Sequence, residues 1–118
     1  ILMMAECYCN LENAEETMRY LNMVRQRAGV DPVTNFTGFE DLTLAVRCER
    51  ARELGGEFQR KFDLVRWGTW YEVTESQTRA SKIKENILPC HRYYPIPAVQ
   101  VSYSGGALDN NEYAQYGR

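Results

Sequence analysis

Residues 49–68 read Glu49-Arg-Ala-Arg-Glu-Leu-Gly-Gly-Glu-Phe-Gln-Arg-Lys-Phe-Asp-Leu-Val-Arg-Trp-Gly68. They predict the end of one helix, a two-glycine break and a second helix. Leu42, Val46, Glu49 and Glu53 recur at i, i+4, i+7 and i+11, so they share one face of the first helix. Because an unpaired buried carboxylate costs several kcal/mol, we predict that both glutamates are paired.

The nearest arginines beyond the glycine break are Arg60 and Arg66. Asp63 and Arg66 stand at i and i+3 and can pair along one helix. We therefore predict a structural ionic network that joins the two helices, formed by Glu49, Glu53, Arg60, Asp63 and Arg66. A glycosidase is the alternative, since that chemistry needs two carboxyl groups. Four-residue spacing places Glu49 and Glu53 side by side on one helix, and not across a cleft, which favours the structural interpretation.

This stretch resembles the C-terminal signature of the SusD/RagB family, which has a pattern like E-R-R-x-E-L-x-x-E-G-x-R-x-x-D-L-x-R-W-G. The residues that match it in order and spacing are Glu49, Arg50, Glu53, Leu54, Glu57, Arg60, Asp63, Leu64, Arg66, Trp67 and Gly68. Two positions depart from the pattern. Ala51 stands where a second arginine is common, and Phe58 stands where the family usually has glycine.

The first 29 residues predict a helical hairpin of the tetratricopeptide-like kind. Asn13 can cap the second helix, with Glu16 three residues later, and Gly29 can end it in the left-handed conformation. The hairpin also resembles a family pattern upstream of the signature. The matching residues are Leu2, Ala5, Glu6, Leu11, Leu21, Asn22, Val24, Arg25, Arg27, Ala28 and Gly29.

The remaining chain divides into signature helices over 37–73 and a loop-rich tail over 74–118. Thr37 and Glu40 form a capping-box pattern at the start of a helix over roughly 39–54. Phe58, Phe62 and Val65 give the next helix an apolar face by their spacing. Residues 74–86 are polar and predict a surface loop, and the prolines of 87–97 favour extended chain. The predicted fold is mainly α, with an extended, loop-rich C-terminal segment.

Composition excludes several classes of function. A formal net charge of −2 over 118 residues gives no basic footprint for nucleic acid. No apolar run approaches the length of about 18 residues that a transmembrane helix needs. The single histidine, His91, has no suitably placed nucleophile, and the chain has no phosphate loop or dinucleotide turn. We expect no catalysis and no cofactor. The cysteines are interpreted as core residues, with one disulfide or a metal site as alternatives.

The family resemblance implies a fragment of a surface glycan-binding lipoprotein. Its expected partners are an oligosaccharide or polysaccharide and a SusC-like TonB-dependent transporter. The lipid anchor would lie upstream, and the protein would reside at the cell surface on the outer membrane. The aromatic residues that could stack on sugar rings are Trp70, Tyr71, Tyr93 and Tyr94, although packing against the helices is the alternative for each. The alternative function is a tetratricopeptide-like protein-interaction module.

Overall fold

The computed structural model describes residues 1–117, and within them every regular element is helical. The α-helices are α1 (Leu2–Asn10), α2 (Ala14–Arg27), α3 (Phe39–Glu53), α4 (Arg60–Arg66), α5 (Trp70–Gln77), α6 (Ser81–Lys84), α7 (Ala98–Tyr103) and α8 (Asn111–Ala114). A 3₁₀ helix covers Pro89–Arg92. The chain divides into two compact units, Ile1–Arg60 and Lys61–Arg118. The prediction of a mainly α fold is confirmed.

The first unit begins with the predicted hairpin of α1 and α2. The Glu16 N–H donates to Asn13 Oδ1 at 3.1 Å, so Asn13 caps α2 as expected. Gly29 stops the chain from continuing α2 beyond Arg27, and its φ of +70° suits glycine because no Cβ meets the neighbouring carbonyl. The Val30 N–H then donates to the Arg25 carbonyl, which is the six-residue hydrogen bond of a Schellman motif.

The core of the first unit lies where α1, α2 and α3 meet. Its buried members are Leu2, Ala5, Cys9, Leu21, Val24, Leu42 and Val46. The apolar part of the predicted α3 face is therefore buried, and Glu49 extends that face into the protein interior. The start of α3 differs from the prediction. Gly38 is the N-cap residue and no side chain caps it, while the Thr37 N–H donates to Asp41 Oδ2 at 3.3 Å.

The asparagine Asn22 fixes the linker between α2 and α3. Its Nδ2 donates to the Val33 carbonyl at 2.8 Å, and its Oδ1 accepts the Val33 N–H at 2.7 Å. One amide side chain therefore satisfies both backbone polar groups of Val33. We call this arrangement an asparagine clamp. It holds an extended segment against a helix without a second strand.

The turn after α3 corrects the predicted apolar face of the next helix. Phe58 has φ +59° and is 89% exposed, and it precedes α4 instead of starting it. Phe62 lies on α4 but is 66% exposed, whereas Asp63 and Leu64 are the buried residues of that helix. Phe58, Phe62 and Val65 have helical spacing, but α4 buries a different face. That face carries Asp63 and Leu64.

The second unit contains more helix than the sequence predicts. Helix α5 runs through Gln77, and the predicted loop of 74–86 includes its end and all of α6. Side-chain hydroxyls donate back to helix carbonyls there, as in the 2.6 Å bond from Thr78 Oγ1 to the Thr74 carbonyl. The extended segment of 87–97 is interrupted by the 3₁₀ helix, which starts at Pro89 because a proline fits the first turn.

A second asparagine clamp lies in this unit. Asn110 Oδ1 accepts the Ile96 N–H at 2.8 Å, and its Nδ2 donates to the Ile96 carbonyl at 2.9 Å. Pro95 and Pro97 flank Ile96 and have no N–H of their own. Ile96 is therefore the only residue of this proline run that can donate a backbone hydrogen bond, and Asn110 accepts it. The predicted tail over 74–118 also contains α8, and its last residue, Arg118, lies outside the described residues.

Candidate functional site

The buried carboxylate of Glu49 is held by arginines of α2 and α3. Arg25 Nη1 lies 2.8 Å from Glu49 Oε2, and the two side chains are 17% and 4% exposed. Arg52 Nη1 reaches the same oxygen at 3.4 Å from one turn along α3. Arg25 Nε donates to the Asp31 carbonyl at 2.8 Å, so one guanidinium joins α2, the linker and α3. This geometry is suited to holding the fold together.

Two further pairs extend the network within the first unit. Glu53 pairs with Arg27 near the surface of α2. Arg50 is buried on α3, and its Nε lies 3.9 Å from Glu6 Oε2 on α1. All three helices of the unit are thereby joined by opposite charges.

The network partners differ from the predicted ones. The ion pairs that the structure gives Glu49 and Glu53 run to Arg25, Arg27 and Arg52, whereas the sequence predicts Arg60 and Arg66 as their partners. Arg66 pairs with Asp63 on its own helix at 3.0 Å, as their i, i+3 spacing predicts. The physical reason is that α3 packs against α2, which brings the last turn of α2 beside these glutamates. Arg25, Arg27 and Glu6 are among the residues that match the hairpin pattern. The pattern does not show that these residues pair with residues of α3.

Three of the four predicted sugar-stacking residues come together in the second unit. Trp70, Tyr71 and Tyr93 line one cavity of about 170 Å³, which we call the aromatic hollow. Its complete lining is Val65, Gly68, Trp70, Tyr71, Glu72, Pro89, Arg92 and Tyr93. The hollow therefore combines three aromatic rings with one carboxylate and one guanidinium. Sequence reasoning missed Glu72 and Arg92. These residues lie far apart in the sequence, so helical or strand spacing does not predict that they line the same cavity.

The wall that carries Tyr93 is fixed by contacts with α8. Tyr113 Oη donates to the Tyr93 carbonyl at 2.5 Å, and its ring lies 5.8 Å from the His91 ring. Burial, with further contributions from Cys90 and Glu112, raises the pKa of Tyr113, so the hydroxyl keeps the proton that it donates. Arg92 Nη2 pairs with Glu112 Oε1 at 2.6 Å. These contacts hold the hollow's lining in place before any ligand arrives.

Tyr94 lies outside the lining of the hollow. It is 80% exposed, and Lys61 Nζ stands 4.1 Å from the centre of its ring. The same ammonium lies 5.6 Å from the Trp70 ring centre, so Lys61 links Tyr94 to the hollow through two cation–π contacts. Sequence reasoning had not singled out Lys61. Arg92, over the Tyr93 ring at 5.1 Å, makes a similar contact.

The first unit has a larger cavity, of about 490 Å³. Its walls are mainly apolar, and its charged lining residues come from α2, from α3 and from the turn after α3. The lining residues are Ile1, Leu2, Met3, Met23, Val24, Arg27, Arg50, Glu53, Leu54, Glu57 and Gln59. No aromatic ring lines this cavity, so it lacks the flat platform that a sugar ring would need.

The cysteines do not assemble into a site. All four are free thiols, with Cys9 and Cys90 buried and Cys7 exposed. Cys9 Sγ lies 3.2 Å from Thr43 Oγ1, which makes it a core residue with a hydrogen-bonding partner. Among residues 1–117, histidine, cysteine and carboxylate side chains form no group suited to a metal ion. Over the same residues no helix combines the length and apolarity needed to cross a bilayer.

Comparison with known proteins agrees with the two sequence patterns. A model of the SusD family matches residues 1–113. A SusD-like protein from Formosa agariphila is 32% identical over an alignment of 121 positions, which covers 93% of this chain and 22% of that protein. The chain thus spans about a fifth of the length of this curated relative. No solved structure matches the chain.

Proposed function

Because this chain belongs to the SusD family, we propose that it is the C-terminal part of a non-catalytic glycan-binding subunit of an outer-membrane nutrient-uptake system. The observation that carries the proposal is the family match over residues 1–113 together with the aromatic hollow of the second unit. Aromatic faces beside a carboxylate and a guanidinium offer a sugar both of the contacts it needs. The apolar ring face can stack, and the hydroxyl groups can form hydrogen bonds.

The surroundings of the ionisable groups favour binding over catalysis. Glu49 is buried against Arg25 and Arg52, so its carboxylate is engaged within the fold. The ring of His91 accepts the Leu88 N–H at its Nδ1, at 3.3 Å, and lies beside Tyr113. The lining of the hollow contains one carboxylate, Glu72. General acid–base hydrolysis requires two carboxyl groups on either side of the glycosidic bond.

The proposal extends to the partners of the complete protein. It would act with a SusC-like TonB-dependent transporter, as a lid that delivers oligosaccharide to the barrel. It would be held at the cell surface, on the outer membrane, by a lipid attached upstream of the residues described here. Fluorescence or affinity labelling of intact cells tests the location. Co-purification with the transporter after mild detergent extraction tests the partnership.

Affinity electrophoresis of the complete polypeptide in gels that contain a panel of polysaccharides tests the glycan-binding function. Retarded migration in at least one gel is expected, with no release of reducing sugar during the run. Unchanged migration in every gel would contradict the proposal. Release of reducing sugar that is lost in Glu49→Gln would contradict the non-catalytic part, provided that the variant remains folded.

A tetratricopeptide-like module that binds protein is the second candidate. It is favoured by the α1–α2 hairpin and by the apolar cavity beside it, where Ile1 and Met3 are exposed. Paired helices of this kind form concave surfaces that bind peptides. Absence of retardation on all glycans, combined with a stable protein partner that is lost on Met23→Glu, would favour this candidate.

A further inference from the structure

We infer that the aromatic hollow is a subsite for a single, uncharged pyranose ring of the glycan. This inference rests on the proposed glycan-binding function and specifies which part of the ligand this unit would hold. It concerns the residues that line the hollow within the second unit. The argument depends on the size of the cavity, the aromatic surface in it and the balance of its charges.

The size of the hollow favours one sugar ring. Its volume of about 170 Å³ lies below the roughly 300–1,000 Å³ of pockets that enclose drug-sized ligands. A single pyranose is a smaller ligand of suitable size, whereas a chain of several sugars would have to extend beyond the cavity. The apolar cavity of the first unit is larger, but it has no aromatic lining.

The aromatic surface of the hollow is accessible. Tyr93 is 56% exposed, while Trp70 and Tyr71 are half-buried. Tyrosine and tryptophan give a large contact area at little cost in side-chain entropy, because each has only two rotatable χ angles. The backbone of Tyr93 is fixed by the Tyr113 hydroxyl, so little ordering is needed when a ring stacks there.

The charges of the hollow favour an uncharged sugar. Its lining contains one carboxylate, Glu72, and one guanidinium, Arg92. The Arg92 charge is already compensated by Glu112 at 2.6 Å. A ligand carboxylate in the hollow would therefore meet Glu72 without gaining an uncompensated arginine. The Lys61 ammonium lies outside the lining, 5.6 Å from the centre of the Trp70 ring. Glu72 is exposed and accepts hydrogen bonds only, so it suits the hydroxyl donors of a neutral sugar.

The direct test uses the complete polypeptide and four methyl glycosides as probes: glucoside, galactoside, mannoside and glucuronide. Saturation-transfer NMR is expected to show contact with at least one neutral glycoside, and weaker contact with the charged glucuronide. Absence of transfer to every neutral probe would overturn the inference. Tighter binding of the glucuronide than of any neutral probe would also overturn it, since the charge argument would then be wrong.

Variants separate this subsite from the rest of the protein. Using the polysaccharide that retards migration most, we expect Trp70→Ala and Tyr93→Ala to lower the affinity about tenfold. Glu72→Gln, which removes a charge from an exposed side chain and therefore preserves the fold, is expected to lower it about threefold. The matched controls are Tyr103→Ala and Glu85→Gln, which change exposed residues of the same unit outside the hollow. Both are expected to bind as the parent does.

The outcomes distinguish the inference from the function on which it rests. If the parent binds glycan and Trp70→Ala, Tyr93→Ala and Glu72→Gln bind equally well, the subsite is wrong and the glycan-binding function stands. If the parent binds no glycan, both are wrong. Circular dichroism shows whether Trp70→Ala loses glycan affinity because it unfolds. If it does, the affinity of Glu72→Gln decides whether the subsite is present.

Discussion

Arg25 Nη1 on α2 lies 2.8 Å from the carboxylate of Glu49 on α3, and both side chains are largely removed from solvent. This contact connects the hairpin of the first unit to the helix that carries the signature. It is also continued by the hydrogen bond from Arg25 to the Asp31 carbonyl. Removing either partner would leave the other charge in a poorly solvated position, which costs more than the pair itself contributes.

We expect Glu49→Gln to destabilise the first unit by about 3 kcal/mol, because Arg25 loses its buried counter-ion. Urea unfolding followed by circular dichroism measures the change. A midpoint equal to that of the parent would contradict the role of Glu49 in holding the helices together.

The matched control is Glu53→Gln, one turn further along α3. Its partner, Arg27, has a side chain that is two-thirds exposed, so solvent screens the pair. The expected cost is below about 1 kcal/mol. Equal losses in the two variants would mean that burial does not decide the contribution of these glutamates.

Phe58→Gly is expected to stabilise the chain by up to about 1 kcal/mol, because the left-handed conformation costs an L-residue roughly 1–2 kcal/mol. The native φ of +59° suits the glycine that the family pattern usually has here. Part of the gain is offset because glycine adds entropy to the unfolded chain. Thermal unfolding measures the difference.

Phe58→Ala is the control for loss of the phenyl ring. The ring is 89% exposed, so its removal from the folded state should matter little, and alanine retains the strained φ. We expect an unfolding temperature close to that of the parent. If alanine stabilised the protein as much as glycine does, the exposed ring would be the cause and the backbone argument would fail.

Asn110→Ala is expected to raise the hydrogen-exchange rate of the Ile96 amide about tenfold, the equivalent of one lost hydrogen bond of about 1.4 kcal/mol. Asn110→Asp keeps an acceptor for that N–H and should change its exchange less. Exchange measured by NMR distinguishes the two. Asn111→Ala, at an exposed neighbouring position, is the control, and an equal effect there would contradict the clamp.

Alkaline pH should destabilise the second unit through Tyr113. Its pKa is raised in the folded protein, so the folded state holds the proton more tightly than the unfolded state does. The resulting stability is complete below the ordinary tyrosine pKa of about 10 and is lost as pH rises through the folded value. Urea midpoints across this range measure the decrease.

Tyr113→Phe should show a smaller alkaline decrease than the parent, because the titrating hydroxyl is gone. Its stability at neutral pH should fall by up to about 1 kcal/mol, since the hydrogen bond to Tyr93 is lost. Tyr116→Phe changes another tyrosine of the same segment and should keep the parent's pH dependence. A parallel pH dependence of parent and Tyr113→Phe would contradict the assignment.

The helices of the first unit could be predicted because each carries a regular apolar spacing and a recognisable end. Leu42, Val46 and Glu49 share a face by simple geometry, and that face is buried. The choice of ion-pair partner could not be predicted in the same way. Whether α2 or α4 lies beside Glu49 depends on how separate helices pack, and nearness along the chain is a poor guide to that.

The second unit is harder to predict from sequence because its helices α5 to α8 are short, with four to eight residues each. Helical spacing of Phe58, Phe62 and Val65 suggested an apolar face, yet Asp63 and Leu64 are the residues that α4 buries. Spacing shows which residues share a side, but not which side another element covers. The chemistry of their side chains makes Trp70, Tyr71 and Tyr93 candidates for sugar stacking. Their meeting in one hollow, with Glu72 and Arg92, follows from the path of the backbone.

The two asparagine clamps also have a consequence for how the chain meets other proteins. Extended segments in a helical protein present unpaired N–H and C=O groups, to which a foreign peptide could add as a β-strand. At Val33 and Ile96 the asparagine amides already occupy both groups. Each clamp therefore removes one position at which strand addition, and hence aggregation through the backbone, could begin.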